Sequence, residues 1–163
     1  MKNKRKGFTL VELLIVIVVI GILSAMMMLL SNEAVTSAKA SNIVSNLRNL
    51  KTAALAYYAD NLDYFSKTPT AAISRDGTAG ASNVLKYLGS TSSQIADMSN
   101  YHFGNNGGEW YVSYDISQAG SATEQQGIKT KLAGRAGSVG LCKSMSSKDK
   151  FDATATSVAV FIR

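Results

Sequence analysis

Apolar positions follow each other almost without interruption from Phe8 to Leu30, with only Thr9, Glu12 and Ser24 clearly polar. As a helix rising ~1.5 Å per residue, this run reaches roughly 35 Å, enough for the ~30 Å hydrocarbon core of a bilayer. From Ala40 onwards the pattern changes character but not period. Ala40, Ile43, Leu47, Leu50, Ala54 and Tyr57 recur at alternating spacings of three and four, and Val44, Leu55, Tyr58 and Leu62 widen the stripe. Asn42, Asn46, Arg48, Asn49, Lys51 and Asp60 fall mostly on the other side, the signature of an amphipathic helix. No Gly or Pro stands between Gly21 and Pro69, so one helix is predicted from about Phe8 to about Asp63. Its first half is apolar all round, and its second half has one buried face.

After Tyr64 the chain turns to Ser, Thr, Ala, Gly and Asn, with turn signals at Asp76-Gly77, Gly80 and Asn105-Asn106-Gly107-Gly108. Ser82 to Leu88 reads as a short helix capped by Ser82 and stopped by Gly89. Trp110 to Ile116, rich in aromatic and β-branched residues, is the clearest strand, and Tyr101 to Phe103 is placed to pair with it across the Asn-Gly-Gly turn. Ser157 to Ile162 is apolar nearly throughout, as in a central strand covered on both faces. Ala122 to Ala133 reads as weakly helical, and Val139 to Met145 fits either helix or strand. The fold class is α+β: a long N-terminal helix, membrane-spanning in its first half and amphipathic in its second, packed on a small antiparallel sheet.

Charge changes little in this picture. The chain has 163 residues with 17 Lys and Arg against 11 Asp and Glu, yet Lys2, Lys4, Arg5 and Lys6 supply much of the excess. A basic surface for nucleic acid is therefore unsupported in the rest of the chain. The basic stub before the apolar run predicts a single pass with the N-terminus in the cytoplasm. One Cys and one His leave no disulfide within the chain and too few parts for a zinc site or a His-based catalytic group.

Three readings compete for the N-terminus. A cleaved secretory signal expects a shorter apolar stretch and a nearby small-x-small site, whereas Ala38-Lys39-Ala40 lies well past Leu30. A plain membrane anchor explains the length and basic flank but gives no reason for Glu12, since a carboxylate at the centre of a spanning helix costs about 2.5 to 3.5 kcal/mol. The third reading comes from Lys4-Arg5-Lys6-Gly7-Phe8-Thr9-Leu10-Val11-Glu12 and the unbroken apolar run behind it. This stretch resembles the class III leader of type IV pilins and of type II secretion pseudopilins.

The resemblance implies cleavage by a prepilin peptidase between Gly7 and Phe8, N-methylation of Phe8, and pairing of Glu12 with the Phe8 amine of a neighbouring subunit. It implies the pilin fold, divided as a leader (1–7), a transmembrane and filament-core helix (8–30), the amphipathic half of the same helix (31–63) and a globular head with its αβ-loop and sheet (64–163). The implied function is that of a structural subunit of a type IV pilus, without enzymatic activity. Alternatives are a pseudopilin of a type II secretion or competence machine, or a monomeric membrane-anchored binding protein. The implied partners are further copies in a filament, the peptidase, an assembly platform and motor, and membrane lipid; DNA is a partner that the pattern does not support. The implied location is the bacterial cytoplasmic membrane before assembly, then an extracellular pilus or a periplasmic pseudopilus. Many relatives have a Pro near the end of the apolar run, where this chain has Met26-Met27-Met28-Leu29-Leu30, and many close the C-terminal region with a disulfide that one Cys cannot form.

Other candidate chemistry is sparse. Gly134-x-x-Gly137-x-x-Gly140 has phosphate-loop spacing but no strand before it. Asp149 and Asp152 could ligate calcium, as in some pseudopilins, but two carboxylates do not make a site. Trp110, Tyr111 and Tyr114 could stack on bases if exposed, although their place in a strand favours the core. His102 is assigned to a turn or the surface and Cys142 to the interior as a small hydrophobe. No cofactor is expected.

Overall fold

The computed structural model describes residues 7–60, 71–72, 82–95, 97–106, 108–144 and 147–162. The chain divides between Val35 and Thr36 into two units, and the long helix α1, Leu10–Asp60, contributes to both. The predicted helix end beyond Asp60, including Leu62, lies outside the described residues. The backbone is helical at each position from Met26 to Leu30, which the lack of a proline there permits.

Among the described residues of the first unit, α1 packs against no other element. Its large apolar side chains stand open, from Leu10 at 79% exposure to Val35 at 42%. A helix long and apolar enough to cross a membrane, with its whole circumference uncovered, needs lipid or other helices around it to be stable.

The second unit is built on a six-stranded sheet. The strands are β1 (Ala71–Ala72), β2 (Tyr101–Asn106), β3 (Glu109–Asp115), β4 (Cys142–Ser144), β5 (Ser147–Lys150) and β6 (Ser157–Phe161), in the order β1-β2-β3-β6-β4-β5. All pairings are antiparallel. The β2–β3 hairpin places Tyr101 opposite Tyr114 and Phe103 opposite Val112, and its turn is held by the Gly108 N–H donating to Asn105 Oδ1 at 2.8 Å. β6 lies centrally, between β3 and β4, as its apolar composition predicts.

Alternation along the strands sends Tyr101, Phe103, Trp110, Val112, Tyr114, Val158 and Val160 into the core that also holds α1. All six residues of the α1 stripe are buried there, with Val44 beside them. Leu55 departs from expectation: it is 41% exposed, because it lies one residue past Ala54 and so about 100° round the helix from the seam. On the opposite face of the sheet, Tyr111 lies over Gly104 so closely that a Cβ there would stand 1.9 Å from its hydroxyl oxygen. Glycine at 104 is what lets the ring cover the backbone.

Helix α2 runs Ala122–Val139, past the Ala133 end expected from sequence. Ile128, Leu132 and Ala136, one turn apart, are all buried, and this packing outweighs the cost of about 1 kcal/mol per helical glycine at Gly134 and Gly137. The glycine series is thus the tail of a helix. Gly140, at φ 73°, ends it in the left-handed conformation, with its N–H and that of Leu141 both donating to the Ala136 carbonyl. The segment Ser82–Gln94 is 3₁₀ rather than α-helical and breaks at Gly89, φ 56°. Cys142 begins strand β4 and is only half-buried. His102 is inside β2, not in a turn, and is half-buried. Strand β4, with three residues, is too short to show a period, and His102 alternates with the buried Tyr101 and Phe103 along β2.

Candidate processing and assembly site

Gly7, Phe8 and Thr9 precede the helix in non-helical backbone, and the first helical residue is Leu10. The boundary has a local chemical cause. The Thr9 hydroxyl accepts from the Glu12 N–H at 3.2 Å, while Glu12 Oε2 accepts from the Thr9 N–H and the Thr9 hydroxyl, both at 2.8 Å. This is a capping box, in which two backbone donors that no helical carbonyl can reach are satisfied reciprocally. A carboxylate in the first turn also meets the positive end of the helix dipole. The Thr-x-x-Glu spacing ahead of an apolar run was visible in the sequence as a helix-start signal, and it accounts for Glu12 within one chain.

The other carboxylate oxygen, Oε1, takes no hydrogen bond among the described residues. Glu12 therefore keeps acceptor capacity after capping its own helix. Gly7 is exposed, and a Cβ there would meet nothing within 4 Å. Among the described residues, packing gives no reason for glycine at 7.

The remaining sequence candidates are dispersed over the second unit. Asp152 is engaged by Lys143 and by the Thr154 N–H and hydroxyl, and these partners hold its carboxyl well below the usual range. Asp149 lies on β5. Among the described residues no three His, Cys, Asp or Glu side chains are grouped to hold a metal. Trp110, Tyr111 and Tyr114 are buried, so none offers a face to a base. Burial pushes the Cys142 thiol up, away from the reactive thiolate.

Residues 2–28 match the prokaryotic N-terminal methylation motif. The match covers Gly7, Phe8, the Thr9–Glu12 capping box and most of the apolar run. The chain is similar to type IV pilin-like proteins. A fimbrial protein, EcpB of Eikenella corrodens, is 37% identical over 86 residues, which is 53% of this chain and 51% of that protein. The chain thus spans about half the length of the curated relative it matches. No solved structure matches. A long N-terminal helix with an apolar first half, and an α+β unit with an antiparallel sheet, are what the leader implies.

Proposed function

We propose that this chain is the structural subunit of a type IV pilus, held in the cytoplasmic membrane by α1 and polymerised through it after removal of residues 1–7. The observation that carries the reading is the conjunction of the methylation motif with an apolar helix that has no covering of its own. A helix bundle at a filament axis would supply that covering. The fimbrial name of the relative favours a pilus over a secretion pseudopilus. Pilin-like proteins are structural, and no chemistry is assigned to this chain.

In this reading a prepilin peptidase cuts between Gly7 and Phe8 and the new amine of Phe8 is methylated. The cut bond lies ahead of the capped helix, so the peptidase meets non-helical backbone and need not unwind α1. Glu12 then holds its own helix start through Oε2 and receives the Phe8 ammonium of an adjacent subunit on Oε1. At 4 Å such a pair is worth about 4 kcal/mol at an effective dielectric near 20, and desolvation offsets much of it. Its contribution is to axial register and recruitment more than to net stability.

Glu12→Leu tests the pairing. The variant is expected to insert and be cleaved, since Leu is favourable in the membrane, yet to give few filaments when expressed alone. Glu12→Gln, which keeps the cap but lacks the charge, is expected to assemble as poorly. Normal filament yield from both variants would remove the pairing role.

A further inference from the structure

A cleft of about 380 Å³ opens in the second unit between α1, the Asp97 turn, the β2–β3 hairpin and the start of α2. Its polar lining is unlike the core beneath it. Asn42 and Asn46 project from one face of α1, Tyr101 and Tyr114 reach it from the sheet, and the exposed Asp97 and Gln118 complete the polar lining. Ile43 and Ile128 supply apolar wall. The volume is within the range that holds small ligands.

The hydrogen-bond inventory narrows the class of ligand. Asn46 Nδ2 donates to the Tyr101 hydroxyl oxygen at 3.0 Å, so the Tyr101 proton is the part left to donate. Burial pushes this phenol far up, and Tyr114 is pushed up by the same cause; both stay protonated in neutral solution. The Tyr101 and Tyr114 rings lock each other, with centroids 4.7 Å apart. The Asn42 amide and the Asp97 carboxylate make no side-chain hydrogen bond or ion pair among the described residues. Lys39, also on the wall, is already matched by Glu124 at 3.0 Å.

The cleft therefore offers a fixed O–H donor, amide groups that both donate and accept, and one carboxylate acceptor. An anion would be repelled by Asp97. An ammonium ion could approach Asp97, but it has no acceptor for the Tyr101 proton or the Asn42 N–H groups, and one exposed carboxylate holds a cation only weakly. A ring bearing several hydroxyls satisfies all of these groups, because each hydroxyl donates and accepts, and its C–H face fits the isoleucine wall. We propose that this cleft binds a neutral saccharide residue.

The test uses the full-length protein in a detergent without a sugar headgroup. Saturation-transfer NMR and calorimetry are run with methyl α-mannoside, methyl β-galactoside and N-acetylglucosamine, with n-butylamine as the cation probe. At least one saccharide is expected to saturate in the millimolar range, a free energy typical of a single sugar residue at a few hydrogen bonds. Asp97→Asn and Gln118→Leu are expected to weaken it about tenfold. Both positions are exposed, and asparagine tolerates the left-handed backbone of Asp97, φ 53°, so these variants fold. Tyr101→Phe should weaken binding similarly, with unchanged circular dichroism as its control. Absence of binding by all three saccharides into the tens of millimolar would overturn the proposal. So would saccharide binding that Asp97→Asn and Gln118→Leu leave unchanged, or binding of butylamine alone.

Discussion

Leu47 and Leu55 lie two turns apart on α1, and the structure gives them opposite fates. Leu47 is fully buried in the core shared by α1, the sheet and α2, and Leu55 is 41% exposed. Truncating Leu47 to Ala removes three carbon groups, worth about 2.4 kcal/mol at ~0.8 each, and leaves a cavity that relaxes only in part. The total should be about 3 to 4 kcal/mol, within the range for buried leucines. For a domain of this size, ~1 kcal/mol moves the melting temperature by about 4 °C, so Leu47→Ala should lower it by roughly 12 to 16 °C. Leu55→Ala, whose apolar surface is already partly in water, should cost about 1 kcal/mol or less. Helix propensity cannot imitate the contrast, because both changes create the same alanine in the middle of one helix. The signal to follow is fluorescence of Trp110, the single tryptophan, which is buried in the same core; far-ultraviolet dichroism would be dominated by the membrane half of α1. Equal shifts for the two variants would refute the assignment of the stripe as the seam between helix and sheet.

Further outcomes follow from other sites. Ser113 is 1% exposed and its hydroxyl has no hydrogen-bond partner among the described residues, so Ser113→Ala should be neutral or stabilising by about 1 kcal/mol in thermal melts, since an unpaired buried hydroxyl costs free energy. Gly104→Ala should destabilise by about 1 to 3 kcal/mol, and combining it with Tyr111→Leu, which removes the ring above the new methyl, should restore part of the loss. Lys39 and Ser121 lower the Glu124 carboxyl, and Lys143 and Thr154 lower Asp152. Both groups therefore stabilise the fold above their ordinary values of 4.5 and 3.8, and that contribution is lost as pH falls through the lowered folded values. Acid titration of the melting temperature should be flatter in Glu124→Gln with Asp152→Asn than in the wild type. Gly7→Leu should leave a full-length precursor in the membrane, seen as an unshortened band with no filaments.

The long helix was legible because its periodic pattern runs for many turns, and the strands β3 and β6 because aromatic and β-branched residues concentrate there. The end of α2 was not, since Gly134 and Gly137 argue against helix locally and only the burial of Ile128, Leu132 and Ala136 outweighs them. Cys142 sits in a three-residue strand that pairs with Ala159, beyond the intervening strand β5 in the chain, a contact that no local pattern announces. The candidate site divides in the same way. Gly7, Phe8 and Glu12 stand out in the linear motif, whereas the reciprocal bonds between Thr9 and Glu12 were present only as a spacing. The cleft beside Asp97 had no sequence signal, because its walls come from five separate segments that only the packing of α1 on the sheet brings together.

The central claim is that this chain is shortened, methylated and polymerised. Intact mass spectrometry of filaments sheared from the surface of producing cells tests all three at once. The account predicts a subunit beginning at Phe8 and carrying one additional methyl group on its N-terminal amine. A chain that is found only in the membrane fraction, with residues 1–7 still attached and no methyl group, would contradict it.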